Sequence, residues 1–193
     1  MDSKSKQGGK LLAEGGYGCV FVPGINCDGS IMSNKKYISK IQRFDDSAKN
    51  EIEIGRIVQD IGGFEDHFSP VLKFCNIDIA KVKDKEISKC TILKKKSTKK
   101  FIVMKLRYIE GNDFMDYLIN QKNSVQLVSN IILSYNHLLK SVSMLIENQI
   151  LHYDLKGTNI LFDMEKETPI LIDFGLSVQI SNIDFDDNLL TLM

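Results

Sequence analysis

The sequence predicts an α+β fold in which strands come first and helices later, with an antiparallel five-stranded first half built around one main helix. Three observations predict it. Short β-type runs separated by Gly-rich or Asn/Gly/Ser-rich turns recur up to Leu106, an apolar helical period interrupts them once over 45–60, and the same period dominates beyond Asn112. Composition is that of a folded domain: of 193 residues, 43% are hydrophobic and 26% charged, which fits neither a disordered chain nor a collagen-like repeat. Lys and Arg (25) balance Asp and Glu (25). No global field therefore draws the chain to nucleic acid or anionic lipid, and no specific nucleic-acid partner is expected. No apolar run approaches the roughly 20 residues that span a bilayer, and the opening MDSKSKQGGK lacks the apolar stretch of a secretory signal. An intracellular, cytoplasmic protein without membrane contact is the expectation, and the oligomeric state stays open.

Residues 1–10 are polar and Gly-bearing and read as a loose leader. Strands are expected at 11–13, 19–22 and 37–41, an antiparallel meander. Over 45–60, Ile54, Val58 and Ile61 share one helical face, Ser47 or Asp46 is placed to cap it, and Gly62-Gly63 stops it. Two more strands follow at 71–77 and 101–106. Between them, 81–100 is dense in Lys and poor in acids, which reads as a solvated surface insertion. Helices are expected over 114–120 and 125–147, where Leu127, Ile131, Leu138, Val142 and Leu145 recur at helical spacing. Two short apolar runs, 160–162 and 170–172, flank a turn through Pro169. Cys19, Cys27, Cys75 and Cys90 are scattered without a C-x-x-C pair, so neither a zinc site nor a disulfide framework is predicted and they read as reduced thiols.

The passage richest in chemistry is His152-Tyr153-Asp154-Leu155-Lys156-Gly157-Thr158-Asn159, followed by the two apolar runs and then Asp173-Phe174-Gly175. A phosphoryl transfer needs a carboxylate near the attacking hydroxyl, a cation on the moving phosphate and oxygen ligands for magnesium. Asp154, Lys156, Asn159 and Asp173 supply that set. A hairpin joining Asn159 to Asp173 brings the amide and the carboxylate to adjacent strand ends, close enough to share a hard cation.

HYDLKGTN followed by DFG resembles the catalytic and magnesium-binding loops of the eukaryotic-type protein kinases. The resemblance implies that Asp154 accepts the proton of a substrate hydroxyl, that Lys156 steadies the γ-phosphate of ATP, and that Asn159 and Asp173 hold Mg2+. A Lys two places after the aspartate is similar to the serine/threonine subgroup, which implies a protein substrate modified on Ser or Thr. The text Leu12-Ala13-Glu14-Gly15-Gly16-Tyr17-Gly18-Cys19-Val20 stands between two predicted strands, as the family's phosphate cover does. Gly15 and Gly18 would let backbone amides approach phosphate oxygens without a Cβ in the way. Ala13 replaces the first glycine of the G-x-G-x-x-G pattern and should stiffen the loop, and Val20 would cap the adenine. Tyr37-Ile38-Ser39-Lys40-Ile41 resembles the V-A-I-K strand, which makes Lys40 the partner of the α- and β-phosphates, with Ile38 in the place of a small Ala and a narrower or shifted adenine slot as the consequence. The counter-ion of Lys40 should come from the following helix. Glu51 and Glu53 lie about 200° apart around it, and Glu51, on the face of Ile54 and Val58, is the residue chosen. The run 101–106 followed by Arg107-Tyr108-Ile109-Glu110-Gly111 resembles the family's fifth strand and hinge, with Leu106 as gatekeeper and Tyr108 at the adenine edge.

In the family's terms, 11–110 is an N-lobe carrying the insertion 81–100, and 111–193 is a partial C-lobe that holds helices, catalytic loop and DFG. No A-P-E text follows, so a kinase-like fold truncated before the bulk of the C-lobe is expected. Tyr153 replaces the Arg of H-R-D, which leaves no cation beside Asp154 to receive an activation-loop phosphate, and activity should not depend on that switch. GGYGCVFVPG together with HYDLKGTNIL is also similar to kinases of large DNA viruses, which would place the protein in host cytoplasm or virion. The resemblance implies an ATP- and magnesium-dependent Ser/Thr protein kinase, and the missing text leaves as its alternative a catalytically impaired kinase-like module that binds nucleotide or a partner.

Overall fold

The computed structural model of the chain describes residues 9–16, 18–82, 87–94, 100–111 and 113–182. Most of the expected leader, Tyr17 of the glycine loop, parts of the insertion and the tail beyond Asn182 lie outside the described residues. In chain order the elements are β1 (Lys10–Glu14), β2 (Gly18–Val22), β3 (Tyr37–Arg43), α1 (Asp46–Gln59), β4 (Phe68–Ser69), β5 (Lys73–Ile77), α2 (Thr91–Lys94), β6 (Phe101–Arg107), α3 (Phe114–Ile119), α4 (Ser124–Glu147), β7 (Ile150–Leu151), β8 (Ile160–Asp163), β9 (Thr168–Ile172) and β10 (Val178–Gln179).

The first half is a five-stranded sheet in the order β1-β2-β3-β6-β5, antiparallel at every pairing. Central β6 reads FIVMKLR, an apolar run at its start where a half-buried strand would alternate. The two-residue period sends Ile102, Met104 and Leu106 to one face, where they pack with Ala48 and Ile52 of α1, and Phe101 and Val103 to the other. Both faces are covered, hence the unbroken run. The N-cap of α1 is Asp45, not Asp46 or Ser47. Its backbone is extended and its side chain accepts a hydrogen bond from the Ala48 amide, whereas the other two already lie inside the helix.

The outer face of the sheet corrects two expectations. Cys19, Phe21, Ile41 and Ile77 are covered there by Ile87, Cys90 and Leu93 of the insertion, all buried. The insertion is therefore a second layer and not only solvated loop. Its buried residues Ile87, Cys90 and Leu93 recur every third position, a spacing that the surrounding Lys residues mask. The cysteines are paired as well: Cys19 with Cys90 and Cys27 with Cys75, across 71 and 48 residues of chain. Local spacing cannot reveal such pairs, because the sheet and its outer layer bring distant segments together.

In the second half, Asp113 caps α3 and Asn123 caps α4, each accepting from amides of the first turn. The turn between β8 and β9 precedes Pro169, which sits inside β9 opposite Phe162. Parallel partner β4 reaches only Leu171 and Ile172, so the missing N–H of the proline costs no ladder bond on that edge. One core joins the halves: Ile54 and Val58 of α1 meet Leu145 of α4, Ile150, Leu171 and Phe174. The face of α4 turned away from that core carries exposed Val125, Val128, Ile132, Tyr135 and Leu139. Among the described residues, no helix is long and apolar enough to cross a membrane.

Candidate active site

A cleft of about 850 Å³ opens between the sheet and the second half. All the residues singled out from the sequence line it: Ala13, Gly15, Gly18 and Val20 from the β1–β2 hairpin, Lys40 from β3, Glu51 from α1, Leu106 and Tyr108 at the end of β6, and Asp154, Lys156, Asn159 and Asp173 from below.

The hairpin forms the roof. Gly15 N–H donates to the Gly18 carbonyl at 2.9 Å and closes the turn. A Cβ added at Gly15 or Gly16 would meet nothing within 4 Å, so both face open space. Gly18 has a different need. A Cβ there would lie 2.7 Å from the Ile41 carbonyl oxygen and 2.8 Å from Gln42 Cβ, so this glycine is required by packing of β2 on β3. Strand alternation turns Val20 and Lys40, which are register partners, toward the cleft while Cys19 and Ile41 face the outer layer. Ile38 also lines the cleft, opposite Leu106 in the β3–β6 register.

Lys40 organises the interior. Its Nζ donates to both Glu51 carboxylate oxygens, at 2.9 and 2.8 Å, and to Asp173 Oδ1 at 3.1 Å. Burial opposes the charge on Lys40, but the Glu51 and Asp173 carboxylates outweigh it and hold the ammonium above its ordinary pKa. Burial pushes the Glu51 carboxyl up, with Lys40 pulling against it. Contacts this short at both oxygens fit an ammonium–carboxylate pair. Glu53 is exposed on the opposite side of the helix.

Below, Asp154 Oδ2 accepts from Lys156 Nζ at 2.7 Å and from Asn159 Nδ2 at 2.8 Å. Asn159 Nδ2 also donates to the Asp154 carbonyl at 2.9 Å, so the amide nitrogen is spent on the loop and its oxygen remains the hard donor. The Lys156 hydrogen bond, aided by Asn159, holds the Asp154 carboxyl below its usual range. Tyr153 and Asp173 both sit at φ 63°, a left-handed backbone that non-glycine residues rarely adopt and that clusters at functional sites. His152 ties the two loops: its Nε2 pairs with the Ile172 carbonyl at 3.0 Å, and its ring lies 5.0 Å from that of Phe174. Tyr153 itself is exposed.

At the back, the Tyr108 amide donates to the Lys36 carbonyl, and Arg107 pairs with Asp163 at 3.9 Å across the two halves. Ile109, Leu161 and Ile172 supply apolar wall that the sequence reading did not single out. Leu161 was discoverable, since it stands in the apolar run 160–162 directly after the polar loop.

The residues present fit a magnesium nucleotide. The floor offers an amide oxygen and carboxylates, hard donors suited to Mg2+. The roof and walls offer an apolar slot with an ammonium at its inner end. A family model described as the protein kinase domain matches residues 71–192, more than half of the chain. The match takes in the loops bearing Asp154, Asn159 and Asp173; the glycine hairpin and Lys40 precede it and join them through the fold. The chain belongs to the protein kinase family.

Proposed function

We propose that the chain binds ATP with magnesium in this cleft and transfers phosphate to Ser or Thr hydroxyls of a protein. The observation that carries the reading is the double engagement of Lys40 with Glu51 and Asp173, which holds cation and carboxylate ready on one side while Asp154 and Asn159 face the same cavity. MgATP, when bound, supplies the γ-phosphoryl group. Asn159 and Asp173 would hold the metal, and Lys40, oriented by Glu51, would pair with the α- and β-phosphates. The glycine hairpin would cover the phosphates, and Val20, Leu106 and Tyr108 would enclose the adenine. Both Asp154 contacts fall on Oδ2, so Oδ1 remains an acceptor for the substrate hydroxyl proton. Lys156 steadies the transferred group. The tethered Lys156, by lowering the pKa of Asp154, keeps the base ionised in the ground state.

Asp154→Asn tests the assignment. With labelled ATP and a basic protein substrate, the variant should lose transfer while keeping a magnesium-dependent thermal shift with ATP; full turnover would remove Asp154 from the role. A second reading, a kinase-like module that binds nucleotide or a partner without transfer activity, is favoured by the exposed apolar face of α4, a surface suited to a docked partner. Thermal stabilisation by MgATP in the unaltered chain, without any phosphate transfer, would select it.

A further inference from the structure

The outer strand of the roof hairpin is paired on one side only. β1 is the edge strand of the sheet, mostly exposed, and its register with β2 slips between Leu11 and Ala13. At the tip, a Cβ added to Gly15 or Gly16 would meet nothing within 4 Å. An edge strand of this kind, bulged and paired on one side, opens at low free energy. Two consecutive residues of the outer layer meet it from behind. Cys90 is bonded to Cys19 of β2, one residue past Gly18, and both are fully buried. The Thr91 amide donates to Glu14 Oε1 of β1 at 2.9 Å, and the Thr91 hydroxyl donates to the same oxygen. Glu14 and Cys19 are themselves register partners, at the base of the hairpin where the glycines begin.

We infer that Cys90 and Thr91 are positioning residues for the phosphate flap: the insertion clasps β2 covalently and β1 by hydrogen bonds, and so fixes the height of the glycine hairpin above the cleft. The inference rests on the nucleotide reading of that cleft. Ile87 and Leu93, buried on either side of the clasp, anchor it to the sheet. The second disulfide has no such reach. Cys27 is exposed, and Cys75 lies on β5, the edge strand at the other end of the sheet order from β1.

The test compares the unaltered chain with Cys90→Ser, Thr91→Val and, as control, Cys75→Ser. Amide hydrogen exchange over 11–22 is read without nucleotide, and MgATP affinity and KM for ATP are read beside KM for a basic protein substrate. Cys90→Ser and Thr91→Val should speed exchange in the hairpin and weaken MgATP by about fivefold, raising KM for ATP and leaving KM for the protein substrate in place. Cys75→Ser should change neither. Thr91→Val keeps the disulfide and the buried layer, so it decides the matter if Cys90→Ser fails to fold. Unchanged hairpin exchange in Thr91→Val, or four thiols found free in the native protein, would overturn the clasp. An unaltered chain that binds no MgATP would overturn the nucleotide reading, while the exchange arm would still judge the clasp.

Discussion

Lys40 and Asp173 stand 133 residues apart in the chain and 3.1 Å apart in space. That contact, made beside the bidentate engagement of Glu51, joins the sheet, the main helix and the DFG loop through one ammonium. The helix is held close because Ile54 and Val58 share a core with Phe174, the residue after Asp173. Apolar packing thus sets the polar geometry.

Removal of the ammonium leaves Glu51, only 2% exposed, without its cation. Lys40→Met should cost about 3 kcal/mol of stability, the usual penalty for stranding a buried charge. Lys40→Met combined with Glu51→Gln should recover most of that loss, since the buried carboxylate is then gone and the half-exposed Asp173 keeps its water, yet MgATP binding should stay absent. Urea unfolding of the two single variants and the double gives the coupling directly. A Lys40→Met protein as stable as the original would show that the pair contributes nothing to the fold.

Acidification should loosen the junction of the two halves. His67 bonds Ser141 of α4 through Nδ1 and stacks on His137 at 4.3 Å, while His137 Nε2 meets the Asp66 carbonyl. Burial holds both histidines, and His152 as well, below their ordinary pKa; for the stacked pair nearby Lys140 adds to this and Asp66 opposes it. A depressed histidine pKa means that the unfolded chain binds protons first. Stability is then fully present above the unfolded value of about 6.5 and is lost as pH falls below it toward the folded values. Melting temperature should decline between pH 7.5 and 5.5, and His67→Gln should flatten the decline. A melting temperature that rises over that interval would reverse the sign.

Element types were legible because their periods differ. The helical spacing of Ile54, Val58 and Ile61 stood out against the β-runs on either side, and the polar loop before 160–162 marked the cleft by its chemistry. What stayed hidden depends on contacts between distant segments. Cys19 finds Cys90 only because the insertion folds back over β2, and nothing at either position announces the other. Leu161 and Ile109 were passed over because an apolar wall residue looks like any core residue until the cavity exists. Gly18 lines the cleft as its place in the glycine loop implies, and the constraint from Ile41 across the sheet comes in addition, where residue type does not announce it. The cap at Asp45 was missed by one position among three polar neighbours, a difference that backbone dihedrals decide and residue type does not.

Two glycines along the cleft should respond oppositely to a methyl group. At Gly111 an added Cβ would fall 1.9 Å from the Phe162 carbonyl oxygen and 3.0 Å from its carbon, and backbone of β8 cannot swing aside as a flexible side chain would. Gly111→Ala must therefore push the segment after Ile109 away from β8. The bridge between Asp113 and Leu161, which closes the floor of the cleft, lies two residues on. The substitution should cost about 1–3 kcal/mol, as overpacking does elsewhere, and should weaken MgATP in the folded fraction. Gly16→Ala meets nothing within 4 Å. It should leave the melting temperature unchanged or slightly raised, because it restricts the unfolded chain without a clash in the folded one. Thermal melts of the two variants side by side check the contrast, and equal stability of both would mean that Phe162 does not approach Gly111 as closely as the fold requires.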